Sequence, residues 1–189
     1  MNPIQDSFSY LIDTLFRLYM LLVLLRFLFQ MTRVDFRNQF VVPVVKLTHP
    51  PLAWLRRFVP GLFGIDLSAV VLYLLLGLLN LFILGLLKGV VFNPLGGLLM
   101  VFAKMLETTI WVFIAAIFLQ AIMSWFIPQP GHPAMRRLGD FTRPILSPIR
   151  NMLPAMAGID FSPIIAFVAL NFVRKLLVSP LYYAAVQLM

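Results

Sequence analysis

The sequence predicts an all-α membrane protein with four transmembrane helices, built as two tandem parallel repeats of span, amphipathic interfacial helix and span. Three observations predict it. Apolar stretches of span length recur, basic segments separate them in pairs, and the chain matches itself at an offset of 94 residues, as between Asp66 and Asp160.

The apolar content comes first. Of 189 residues, 61% are hydrophobic and only 12% charged, with a mean hydropathy of +0.96. Soluble domains are about 45–50% apolar and about 25% charged, so a chain this small could not cover its apolar surface in water. Cysteine is absent, which excludes disulfides, thiolate chemistry and cysteine-held metals. The net charge of +8 reads as membrane orientation and lipid contact before nucleic acid.

Spans are expected at 8–31, 67–87, 108–127 and 163–183, each close to the roughly 20 residues that cross a bilayer. The second carries no charge. The first nine residues hold Asp6 and no Lys or Arg, so the first span is expected to stay attached rather than be cleaved as a signal.

The basic segments set the orientation. Arg33, Arg37, Lys46, Arg56 and Arg57 lie between spans one and two, and Arg136, Arg137, Arg143 and Arg150 between spans three and four. The remaining connection has Lys88 and Lys104. Positive loops stay cytoplasmic, so the basic connectors are expected on the cytoplasmic side of a bacterial inner (plasma) membrane and both termini outside. Arg26 is expected to snorkel from the inner end of span one.

The repeat is carried by residues that apolar similarity would not match. Over the alignment of 47–71 with 141–165, nine positions are identical, among them Thr48/Thr142, Pro50/Pro144, Arg56/Arg150, Pro60/Pro154, Gly64/Gly158, Asp66/Asp160 and Ser68/Ser162. The chain accordingly divides into 1–94 and 95–189. Two spans per copy give both copies the same orientation, unlike the inverted repeats of many transporters.

Each connector holds an amphipathic stretch. In the second, Leu138, Phe141, Ile145, Ile149 and Met152 form an apolar stripe against Arg136, Arg137, Arg143 and Arg150. Pro144 and Pro148 are expected to kink or divide it. In the first, Val44, Leu47, Leu55 and Phe58 supply the stripe and Lys46, Arg56 and Arg57 the charge. This face suits anionic lipids, or a membrane-protein partner or second copy; no aromatic-interleaved groove for nucleic acid is present.

Gly64-Ile65-Asp66-Leu67-Ser68 and Gly158-Ile159-Asp160-Phe161-Ser162-Pro163 read as helix starts, with Asp or Ser capping and Pro163 in the first turn. A cation site joining Asp66 and Asp160 across the two copies is the alternative, although two carboxylates are a thin ligand set. Among charges within spans, Asp13 and Arg17 are spaced to pair on one helix face. Glu107, Arg174 and Lys175 read as helix-packing ion pairs or an ion pathway. Neither histidine, His49 or His132, belongs to a catalytic motif, and no enzyme activity, metal or cofactor is expected.

The run Ser124-Trp125-Phe126-Ile127-Pro128, then Phe141-Thr142, Pro144-Ile145-Leu146, Pro148-Ile149-Arg150, Leu153-Pro154 and the Gly158 to Pro163 ending, resembles the YggT family (the YggT/YlmG/CCB type). The first copy is diverged: Ala69 stands where the ending has proline, and Trp54 where the second connector proline would be. The resemblance implies a small multi-span protein without a catalytic residue to carry over, and the positions transferred are the motif positions themselves. Relatives have been tied to osmotic or potassium tolerance, to haem attachment on a plastid cytochrome, and to division and nucleoid placement. The function expected is a scaffold or accessory protein for osmotic or envelope homeostasis or membrane-complex assembly; a component of a cation (potassium) transport system is the alternative.

Overall fold

A computed structural model describes residues 3–34, 41–59, 61, 66–90, 92–126, 133–152 and 160–189. Arg37, Gly64, Pro154 and Gly158 lie outside the described residues. Every regular element described is helical: α1 (Pro3–Met31), α2 (Val41–Leu55), α3 (Leu67–Lys88), α4 (Pro94–Phe126), α5 (Pro133–Met152), α6 (Ser162–Val173), a π-helical turn (Arg174–Val178) and α7 (Ser179–Leu188).

Three helical stretches are long and apolar enough to cross a membrane: Leu67–Lys88, Pro94–Ser124 and Ser162–Leu188. Only 22, 22 and 11% of the residues in their most apolar windows are buried. Leucines and phenylalanines such as Phe82, Leu86, Phe118, Phe167 and Phe172 therefore point outward. An apolar surface of this extent needs lipid as its solvent. The chain is an all-helical membrane protein. α1 is long enough at 29 residues, but it carries Asp13, Arg17 and Arg26 and does not join the three.

α1 packs mainly on α3, with α2 laid against both; α4 likewise contacts α5, α6, the π-helical turn and α7. α3 and α4 join the two sets. The junction is tight because Gly77 faces Val101: a Cβ there would lie 2.2 Å from Val101 Cγ1.

Several boundaries differ from those expected. α3 ends where Gly89 takes a left-handed conformation (φ 66°), with the Val90 N–H returning to the Gly85 carbonyl at 2.9 Å. Asn93 then caps α4 through Oδ1 to the Leu95 N–H at 3.0 Å, with Pro94 first in the helix. The third apolar helix thus starts at 94 rather than 108, and Lys104 lies within it rather than in a loop. Its 33 residues extend about 50 Å at 1.5 Å per residue, more than the roughly 30 Å hydrocarbon core.

Pro144 and Pro148 do not divide the second connector: α5 runs unbroken through both. Both prolines are exposed and share one helix face with Asp140, so the carbonyls they strip of partners open outward. In α2, Pro51 frees the carbonyl of Leu47, and the Tyr19 hydroxyl donates to it at 3.3 Å.

The expected stripes hold only in part. Val44, Leu55 and Phe141 are buried, whereas Leu47, Phe58 and Met152 are exposed. Among the fully enclosed connector residues are Thr48 and Leu52, and at the matching places Thr142 and Leu146.

Candidate functional site

The polar side chains form two layers. At the connector end of the bundle, each connector is tied to the start of the next apolar helix by an arginine and an aspartate ten residues apart. Arg56 is ion-paired with Asp66, whose side chain is 5% exposed. Arg150 meets Asp160 at 2.9 Å through Nη2 and 3.0 Å through Nε, with both side chains nearly half exposed. Of the Asp and Ser expected as alternative caps, Asp66 makes no cap hydrogen bond. Its carboxylate is taken by Arg56, because a buried charge needs a counter-charge more than an amide needs a cap. Asp160 does both, accepting the Ser162 N–H at 2.9 Å. Partial burial pushes the Asp160 carboxyl up, but the hydrogen bonds from Ser162 and the Arg150 guanidinium outweigh it and hold it below the usual carboxylate range. With each carboxylate committed to its own arginine, neither is open as half of a shared cation site. Ser68 closes the first junction by donating to the Val59 carbonyl at 2.7 Å.

Beside these clasps lies a buried pair. Arg26 is 5% exposed and donates to the Val45 carbonyl and to Thr48 Oγ1, each at 3.0 Å. It does not snorkel, because α2 covers it and offers two acceptors. In the other half the Thr142 hydroxyl donates to Gln120 Oε1. Gln120 stands 94 residues after Arg26, as Thr142 does after Thr48.

The second layer lies farther from the connectors along the helices. Asp13 accepts from Arg17 at 2.6 Å, the pairing its spacing suggested, and from Asn80 Nδ2 at 2.9 Å. Glu107, 94 residues on, accepts from Arg174 at 3.2 Å and from the Tyr182 hydroxyl at 2.9 Å. The Arg174 guanidinium also lies 5.2 Å from the centre of the Trp111 ring. Arg174 opens the π-helical turn that precedes Ser179-Pro180; Pro180 lacks an N–H, so the ladder widens there. Lys175, next to it, is exposed and joins no ion pair among the described residues. A cavity of about 450 Å³ between α1, α3 and α4 is lined by Asp13, Arg17, Tyr73 and Lys104 among others.

The connector cations differ in exposure. Arg57, Arg136 and Arg143 are exposed. Arg137 is half-buried and lines an apolar cavity of about 560 Å³ with Phe29, Phe141 and Leu138. Sequence reasoning missed Asn80, Lys104, Gln120 and Tyr182. The 94-residue offset would have found three of them, since it pairs Asn80 with Arg174, Gln120 with Arg26 and Tyr182 with Lys88.

One family profile matches the chain twice at this same offset. The CCB3/YggT family profile matches residues 5–87 and again 99–181, so the second match starts 94 residues after the first. The chain belongs to the CCB3/YggT family. Similar relatives include an uncharacterized protein of Pseudomonas aeruginosa, 36% identical over 186 residues (96% of this chain, 93% of that one). An uncharacterized Vibrio alginolyticus protein in the proC 3′ region is 32% identical over 184 residues, 95% and 99% of the two chains. The uncharacterized protein YggT of Escherichia coli K12 is 35% identical over 164 residues, 85% and 84% of the two. No solved structure matches. The CCB3/YggT motif positions Thr142 and Ser162 are buried, Arg150 and Asp160 are ion-paired, and Pro144 and Pro148 lie on the exposed face of α5.

Proposed function

We propose that this CCB3/YggT chain is a non-catalytic membrane scaffold that presents its connectors to the cytoplasmic leaflet and to a membrane-protein partner. In this reading α1 is the fourth span, its Asp13 and Arg26 being partnered inside the bundle. Residues 1–94 and 95–189 are then parallel repeats in a bacterial inner membrane. The nine cations of the connector segments put these on the cytoplasmic side and both termini outside. The role served is osmotic or envelope homeostasis, or assembly of a membrane complex.

The observation that carries the proposal is the duplicated clasp. Arg56–Asp66 and Arg150–Asp160 anchor the last turn of each connector to the next helix, so exposed Arg57, Arg136 and Arg143 are held at one end of a rigid bundle. Such a face attracts anionic headgroups at about 1 kcal/mol per basic residue near the surface and leaves its apolar side for docking. The test is crosslinking and affinity capture from native membranes with Arg136→Glu/Arg143→Glu, two residues outside the clasps. Loss of the captured partner with normal insertion supports the scaffold; capture at wild-type level contradicts it.

The cation-transport alternative would rest on the polar cavity. There Arg17 and Lys104 outnumber Asp13, so an entering cation meets net repulsion. That favours the scaffold. Potassium flux through the purified protein in liposomes would reverse the preference.

A further inference from the structure

We propose that the cavity between α1, α3 and α4 is a binding site for one phosphate-class anion, either free phosphate or the phosphate ester of a lipid headgroup. The inference does not depend on the scaffold reading. It rests on charge, donors and space. Tyr10, Asp13, Thr14, Arg17, Tyr73 and Lys104 line the cavity, giving two cations and one carboxylate.

The single carboxylate is already used. Asp13 accepts from Arg17 at 2.6 Å and from Asn80 at 2.9 Å. The next acid along α4, Glu107, is taken by Arg174 and Tyr182. Lys104 is half-buried, and among the described residues its ammonium has no ion pair or hydrogen bond; Asp13 and Glu107 act on it only from a distance, against Arg17. An isolated ammonium among apolar helices is expensive. A bound anion removes that cost and uses the N–H groups of Arg17 that Asp13 leaves free.

The donor set selects the anion. A planar guanidinium, an ammonium and neighbouring hydroxyls together suit several oxygens of one oxyanion. At about 450 Å³ the cavity falls in the range of small-molecule sites, about 300–1,000 Å³, and exceeds what a halide needs. Leu18 and Leu21 border it, offering an apolar wall for the hydrocarbon of a lipid ester.

The test uses the full-length protein, purified in a phosphate-free neutral detergent and followed by native mass spectrometry and thermal melting. One arm titrates inorganic phosphate, a second phosphatidylglycerol, and a third net-neutral phosphatidylcholine as control. One adduct per chain is expected in the phosphate or the phosphatidylglycerol arm, and the arm that responds names the source. Affinity should fall at least tenfold in Lys104→Met and Lys104→Gln, and stay within threefold in Lys104→Arg. The two neutral variants should melt no lower than wild type without anion, which separates lost binding from lost fold. The proposal is overturned if neither arm yields an adduct, if the neutral variants bind as wild type does, or if phosphatidylcholine binds equally well.

Discussion

Asn80 donates to Asp13 from 67 residues further along the chain, the same separation at which Arg174 reaches Glu107. At this spacing one half of the chain reaches its carboxylate with a neutral amide, added to the Arg17 guanidinium already on Asp13, and the other half with a guanidinium. The same substitution of chemistry at a conserved spacing recurs at the connector end, where Arg26 meets Thr48 and Gln120 meets Thr142, 22 residues apart in each case. Duplicate backbones can keep a contact while exchanging a charge for an amide, because the spacing is set by helix lengths and the charge by one side chain. The pairs lead to unequal energetics in the two halves.

Breaking the two clasps should cost different amounts. Arg56→Met strands the carboxylate of Asp66, 5% exposed, and is expected to destabilise by about 3 kcal/mol. Arg150→Met leaves Asp160 with the Ser162 N–H and partial exposure, and should cost less than about 1 kcal/mol. Reversible unfolding in mixed micelles checks this; equal losses would contradict it.

The pH response of the second clasp has a definite sign. Because the folded carboxyl of Asp160 is held below its ordinary value, the clasp adds stability above the unfolded value near 3.9, and that stability is lost as pH falls through the folded value. A carbon-13 titration of the Asp160 carboxyl in nanodiscs should give a midpoint below the unfolded one, and Arg150→Met should raise it.

Tyr19 and Pro51 should be coupled. Removing the Tyr19 hydroxyl with Tyr19→Phe leaves the Leu47 carbonyl, already freed by Pro51, without its donor, at a cost of about 0.5–1 kcal/mol. In a Pro51→Ala background the helix can reclaim that carbonyl, and the cost should vanish. Additive effects in the double-mutant cycle would refute the coupling.

Gly77→Ala should loosen the junction between the halves. The new methyl would lie 2.2 Å from Val101 Cγ1 and 3.2 Å from Met20 Cε, and Val101 is β-branched with little freedom to turn away. A loss of about 1–3 kcal/mol is expected. Val101→Ala in the same chain should recover part of it, read by the same micelle unfolding.

Much of the site was legible in the chain. The identical Thr, Arg, Asp and Ser at an offset of 94 pick out Thr48, Thr142, Ser68, Ser162 and the members of both clasps, but not their pairing, since the sequence reads the arginines as lipid-facing and the aspartates as helix caps. The Asp13–Arg17 pair followed from its spacing on one helix. Arg26 and Lys104 do not follow, since the sequence reads the first as snorkelling and the second as a loop residue.

The sequence by itself determined that the protein lives in lipid, that three of its stretches are apolar enough for it, and which positions repeat, because composition and periodic identity are local properties of the chain. Only the tertiary structure decided that Arg26 turns inward to α2, that Asn80 and Asp13 meet, and that Lys104 lines a cavity with no ion pair or hydrogen bond among the described residues. The physical reason is that lipid is as apolar as a protein core. Helices such as α3 and α4 are therefore apolar over most of their surface, no hydrophobic stripe marks the face that packs, and their partners are set by how the helices dock.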